Sequence, residues 1–140
     1  MKELVDYWGN GFDWRAQESD INSLAHYRAN VDGHGIHFIH EHGKGPNPLP
    51  LLLTHGWPST FTEMLKVIPL LTDPAAHGGD AADSFDVIVP SLPGYGFSDL
   101  TTERGVSVGR IADLWAGLMA GLGCTSFGAH GGDWGAGITA

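Results

Sequence analysis

The chain has 140 residues, 42% hydrophobic and 10% aromatic, which is the composition of an ordinary folded domain with one modest core. Seven Lys and Arg against sixteen Asp and Glu leave a net charge of −9, which opposes sequence-independent binding to nucleic-acid phosphates and suits a small uncharged or electrophilic substrate. The first residues, Met1-Lys2-Glu3-Leu4-Val5-Asp6, carry no apolar stretch of signal-peptide length, and nowhere do about eighteen apolar residues run together, so the reading is a cytoplasmic protein without a membrane segment.

Residues 1–30 are rich in aromatic side chains, among them Tyr7, Trp8, Phe12 and Trp14, but show no sustained helical or alternating period. They are expected to form a covering meander ahead of a second unit, residues 31–140. That unit opens at the turn-forming Asp32-Gly33, after which Ile36-His37-Phe38-Ile39-His40 predicts a strand. The continuous apolar run Leu49-Pro50-Leu51-Leu52-Leu53 predicts another, buried on both faces and ending at His55-Gly56. Phe61, Met64, Leu65, Ile68 and Leu71 then fall at helical spacing, with Pro69 expected to fray or kink the last turn.

The alternation repeats. Phe85-Asp86-Val87-Ile88-Val89 is a short buried strand before Pro90, and Val108, Ile111, Trp115, Leu118 and Leu122 line one face of a helix. Ser107 is placed to cap that helix, and Gly121 and Gly123 to stop it. A last strand over residues 125–129 runs into His130-Gly131-Gly132-Asp133-Trp134-Gly135-Ala136. Strands alternating with helices imply an α/β fold with a mainly parallel sheet and flanking helices.

Those seven residues carry the chemistry. Gly131 and Gly135 stand two positions either side of Asp133, the spacing of a nucleophile elbow, in which the central residue is held in a strained conformation at a strand-to-helix turn. An Asp in that place is ionised at neutral pH and needs no general base before it attacks. Carboxylates are weak toward amides but adequate toward a saturated carbon with a strained or good leaving group, which points to an epoxide or an alkyl halide. A helix starting at Trp134 would set its positive end against Asp133. The ester so formed needs an oxyanion hole, for which the backbone N–H groups of Trp134 and of Trp57, in His55-Gly56-Trp57-Pro58, are the candidate donors.

Other chemistry is weaker. Cys124 is the only cysteine, which excludes an internal disulfide and a zinc ribbon and leaves it as a small packing residue. His34, His37, His40 and His42 are grouped, but on a strand His37 faces away from His40 and His42, and no nearby cysteine or carboxylates complete a ligand set; no metal is expected. Gly94-Tyr95-Gly96 is half a dinucleotide fingerprint, without the third glycine, and reads as a turn, so no cofactor is expected.

With these motifs in hand, the chain resembles the microsomal-type epoxide hydrolases of the α/β-hydrolase superfamily. Phe12-Asp13-Trp14-Arg15-Ala16-Gln17-Glu18 is similar to that group's N-terminal meander, His55-Gly56-Trp57-Pro58-Ser59 to its oxyanion loop, Pro90-Ser91-Leu92-Pro93-Gly94-Tyr95-Gly96-Phe97-Ser98 to the loop after the following strand, and Gly131-Gly132-Asp133-Trp134-Gly135 to its elbow. The resemblance implies that Asp133 attacks a small hydrophobic epoxide, that cap-domain tyrosines donate to the ring oxygen, and that a His paired with an acid then activates water to release a diol. In the family those partners lie downstream of the elbow. The chain reaches Ala140 in the first turn after it, so the expectation is the first part of the fold, truncated after the elbow, without turnover of its own and with an uncovered sheet edge. Two other readings stand beside this one: a haloalkane dehalogenase, whose Asp-Trp elbow uses the Trp N–H toward a departing halide, and a non-catalytic module that completes its sheet with another chain.

Overall fold

The structure, a computed structural model, describes residues 1–140. Its centre is a five-stranded sheet in the order β1-β2-β4-β3-β5, with β1 at His26–Val31, β2 at His34–Glu41, β3 at Leu49–Thr54, β4 at Phe85–Pro90 and β5 at Gly128–Gly131. β3 runs parallel to both β4 and β5, whereas β1 pairs with β2, and β2 with β4, in antiparallel fashion. The parallel part is therefore the half that leads to Asp133, and the antiparallel strands extend it on the far side.

The β1–β2 hairpin follows from its turn. Asp32 and Gly33 both adopt positive φ, 49° and 84°, the twist that a two-residue connection needs, and the Asn30 side chain accepts from the Gly33 N–H at 3.0 Å. Alternation along β2 then divides the core. Ile36 and Phe38 join Leu52 and Ile88 on one face, under the helix α4 (Val108–Gly121), while Ile39 meets Leu53, Val87, Val89 and Phe61 on the other. In β4, Val87, Ile88 and Val89 are wholly buried, as a central strand covered on both faces requires.

Ser107 caps α4, its hydroxyl accepting from the Arg110 N–H, and Gly123 follows the helix at φ 81°. From α4, Ile111, Leu114, Trp115, Leu118 and Met119 are buried against the sheet. At about 1.5–3 kcal/mol per buried apolar side chain, this one face contributes on the order of 10 kcal/mol.

The structure departs from the sequence reading in four segments, the first being residues 26–30, read as part of the meander but paired as β1 in the sheet. The opening residues hold two nine-residue helices, α1 (Lys2–Asn10) and α2 (Trp14–Asn22), the second capped by Asp13, whose side chain accepts from the Ala16 N–H. Neither helix buries a residue completely, so neither needs the apolar period by which helices are read. The helical spacing over residues 61–71 resolves into a 3₁₀ turn, Phe61–Met64, and a short α3, Ile68–Thr72. Pro69 lies in the first turn of α3, where its missing N–H costs nothing, and not in a fraying last turn. β5 begins at Gly128, so residues 125–127 belong to the approach to the strand. No helix is long and apolar enough to cross a membrane.

Candidate active site

β3 and β5 lie side by side with Thr54 opposite Gly131, so the loops leaving their carboxyl ends meet. After β5 the chain turns at Asp133 with φ 53° and ψ −120° and enters α5 (Trp134–Thr139). Positive φ is costly for a residue with a Cβ, of order 1–3 kcal/mol, and persists only where the surroundings enforce it. Here they do so by close backbone approach. A Cβ on Gly131 would stand 2.3 Å from the Gly135 carbonyl carbon and oxygen, and one on Gly135 would stand 2.2 Å from the Thr54 carbonyl oxygen. Two glycines thus let α5 fold back over the end of β3.

The loop after β3 arrives from the other side. A Cβ on Gly56 would lie 2.7 Å from the Asp133 Cβ, and the Trp57 N–H donates to Asp133 Oδ1 at 2.9 Å. The Trp134 N–H makes no aligned capping bond but adds a second dipole. Trp57 first, then Trp134, hold the Asp133 carboxyl below the ordinary carboxylate range against a small opposing effect of desolvation. The Asp133 side chain is open to solvent and shares a cleft of about 330 Å³ with Gly56, Trp57, Pro58, Ser59 and Glu63. The Trp57–Pro58 bond is cis, and the Ser59 N–H closes the turn onto the Gly56 carbonyl at 3.2 Å.

His55 sits at the base of this loop, fully buried. The Leu92 N–H donates to its Nε2 at 3.1 Å, which leaves Nδ1 as the protonated nitrogen, donating to the Gly56 carbonyl at 3.0 Å. Burial pushes its pKa below the ordinary histidine value. Both nitrogens are occupied, so His55 ties the loop after β3 to the loop after β4 and holds no lone pair free for proton transfer. His130 is exposed on β5.

The structure therefore brings Asp133, Trp134, Trp57, Gly56, Pro58, Gly131 and Gly135 together, with His55 beneath them. Sequence reasoning passed over Glu63, whose Oε1 accepts from the Gly56 N–H at 3.3 Å and orients the peptide before Trp57. The acid seven residues beyond Gly56, at a turn start, is the only signal that could have found it.

A second polar chain braces the same loops from behind. His26 Nε2 donates to the Ile21 carbonyl at 2.9 Å, so His26 Nδ1 accepts from His37 Nε2 at 2.9 Å, and His37 Nδ1 accepts from the Ser91 hydroxyl at 2.8 Å. This path joins α2, β1, β2 and the loop after β4. Burial, and secondarily the nearby His26 and Arg28 charges, lower the His37 pKa from 6.5 to about 4.

Residues 1–64 match the family described as "Epoxide hydrolase N terminus". The chain is 56% identical over 139 residues to a provisionally named epoxide hydrolase of Stigmatella aurantiaca, covering 99% of this chain and 32% of that protein. It is 44% identical over 140 residues to Epoxide hydrolase 1 of Oryctolagus cuniculus, covering 97% of this chain and 31% of that one. Among solved structures, juvenile hormone epoxide hydrolase from the silkworm Bombyx mori superposes with a TM-score of 0.86 at 35% identity, over 99% of this chain and 32% of that one. The chain thus spans about a third of the length of the relatives it matches.

Proposed function

We propose that this chain, which corresponds almost throughout to the N-terminal third of epoxide hydrolases of the α/β-hydrolase fold, supplies the nucleophile and oxyanion hole that open an epoxide to a vicinal diol. The observation that carries the reading is the Asp133 carboxylate itself, held at positive φ on the strand-to-helix turn with Oδ1 bonded to the Trp57 N–H.

That bond divides the work between the two oxygens. Oδ2, the oxygen not bonded to the Trp57 N–H, attacks an epoxide carbon; a new C–O bond forms, the ring C–O bond breaks, and the departing alkoxide takes a proton from a hydroxyl donor. Oδ1 becomes the carbonyl oxygen of the resulting ester. When water attacks the Asp133 carboxyl carbon, charge develops on Oδ1, where the N–H groups of Trp57 and Trp134 stabilise it. Collapse expels the diol and regenerates the carboxylate. The base for this second half is not His55, whose nitrogens are both engaged. By the family resemblance, the base, its acid and the hydroxyl donor belong to the part of the fold that these 140 residues do not match.

The 140 residues alone are therefore expected to become alkylated once and to stall. Incubation with styrene oxide should add one substrate equivalent to the intact chain, mapped by peptide mass spectrometry to Asp133 and absent in Asp133→Ala. A modification mapped elsewhere overturns the nucleophile assignment; diol in excess over the Asp133→Ala control overturns the stall.

A further inference from the structure

At the opposite end of the sheet, antiparallel pairing of β2 with β4 places His40 across from Ile88, and two positions on it brings His42 beside Asp86. The potential ligand atoms of His40, His42 and Asp86 all lie within 4.8 Å of one another. The two rings are 4.4 Å apart between centroids, and His42 Nδ1 is 3.5 Å from Asp86 Oδ1. The carboxylate is anchored, since the Gly43 N–H donates to Oδ1 at 2.8 Å, and its side chain is 24% exposed while that of His42 is 73% exposed. The cluster is thus fixed on its inner side and open to solvent on its outer side.

We propose that His40, His42 and Asp86 form a binding site for a zinc-type divalent cation. Two imidazoles and one carboxylate are the donor set that borderline first-row cations take, and imidazole suits Zn²⁺ far better than Mg²⁺ or Ca²⁺. Tetrahedral Zn²⁺ with bonds of about 2.0–2.1 Å needs its donors roughly 3.3 Å apart, so the widest pair must close by about 1.5 Å, a change within reach of rotation about the exposed His42 side chain. The fourth position, facing solvent, goes to water. Counted along β3, Asp86 pairs at Pro50 whereas the elbow follows the residue paired with Thr54, so the cation lies more than roughly 13 Å from Asp133 along the strands. It clamps β2, β4 and the turn at Gly43 and takes no part in the chemistry of Asp133.

Titration of the 140-residue chain with zinc chloride near neutral pH, followed by calorimetry, tests this. One equivalent should bind saturably, with affinity at least tenfold weaker in His42→Ala and in Asp86→Asn, which keeps an acceptor for the Gly43 N–H. Asp133→Ala and His77→Ala, which alter the elbow and an exposed histidine remote from the cluster, should bind as the parent does. Bound metal should also raise the thermal midpoint of the parent but not of His42→Ala. Absence of saturable binding, unchanged affinity in both His42→Ala and Asp86→Asn, or an equal loss in His77→Ala would each overturn the proposal.

Discussion

Lowering the pH should weaken this fold through His37 specifically. In the folded chain its pKa is about 4, against an ordinary value of 6.5, because the residue is only 2% exposed and, secondarily, lies near His26 and the Arg28 guanidinium with no anion at its nitrogens. The unfolded chain therefore binds the proton first. Stability from this group is complete above pH 6.5, declines as the pH falls toward 4, and levels off below that. The difference in pKa corresponds to about 3 kcal/mol, a sizeable share of the roughly 5–15 kcal/mol that holds a small domain together. Urea unfolding of the parent and of His37→Gln across this range isolates the contribution, because the other carboxylates and histidines cancel in the difference. His37→Gln should be less stable than the parent near neutrality and should lose less stability on acidification. Curves that run parallel between pH 6.5 and 4 would refute the argument, since they would mean that His37 takes up its proton equally in both states.

Two substitutions beneath the elbow test how it is built. Thr54 is fully buried and its hydroxyl has no hydrogen-bond partner, so Thr54→Val should raise stability by about 1 kcal/mol, read as a higher urea midpoint at unchanged slope. Gly135→Ala pushes a methyl group into the Thr54 carbonyl and should cost about 1–3 kcal/mol while slowing alkylation of Asp133; an unchanged thermal midpoint would contradict the close contact.

Elements that bury one face against another were legible in the sequence. β2, β4 and α4 each advertise their burial by period or by an unbroken apolar run, and the elbow shows itself through Gly131 and Gly135, whose spacing is forced by backbone contacts. What escaped notice lacked such a pattern. α1 carries Leu4, Val5 and Trp8 at helical spacing, but within nine residues that stand exposed, and α2 buries no residue completely, so neither reads as a core-facing helix. The Phe61–Leu71 spacing spoke for one helix because 3₁₀ and α turns place apolar residues at similar intervals. Asp86 meets His42 across a strand pair, where separation along the chain hides the contact, whereas Glu63 lies only seven residues from Gly56 and is hidden by the irregular path of the intervening loop. The two faces of β2 could be read from alternation, including His37 on the side opposite His40 and His42, but the carboxylate that joins the latter pair could not.

The position of residue 133 is set chiefly by steric exclusion. Gly131 and Gly135 meet backbone atoms alone, and Gly56 stands against the Asp133 side chain from its Cβ to Oδ1, contacts set by size and not by acidity. The elbow is in that sense a socket indifferent to its occupant. Serine, cysteine or asparagine placed at 133 would be presented at the same height above the sheet, opposite the same Trp57 N–H, so a change of reaction type requires no change of scaffold. Reactivity and architecture can drift separately in such a chain, with one residue choosing the bond that is attacked and three glycines preserving the place from which the attack is made.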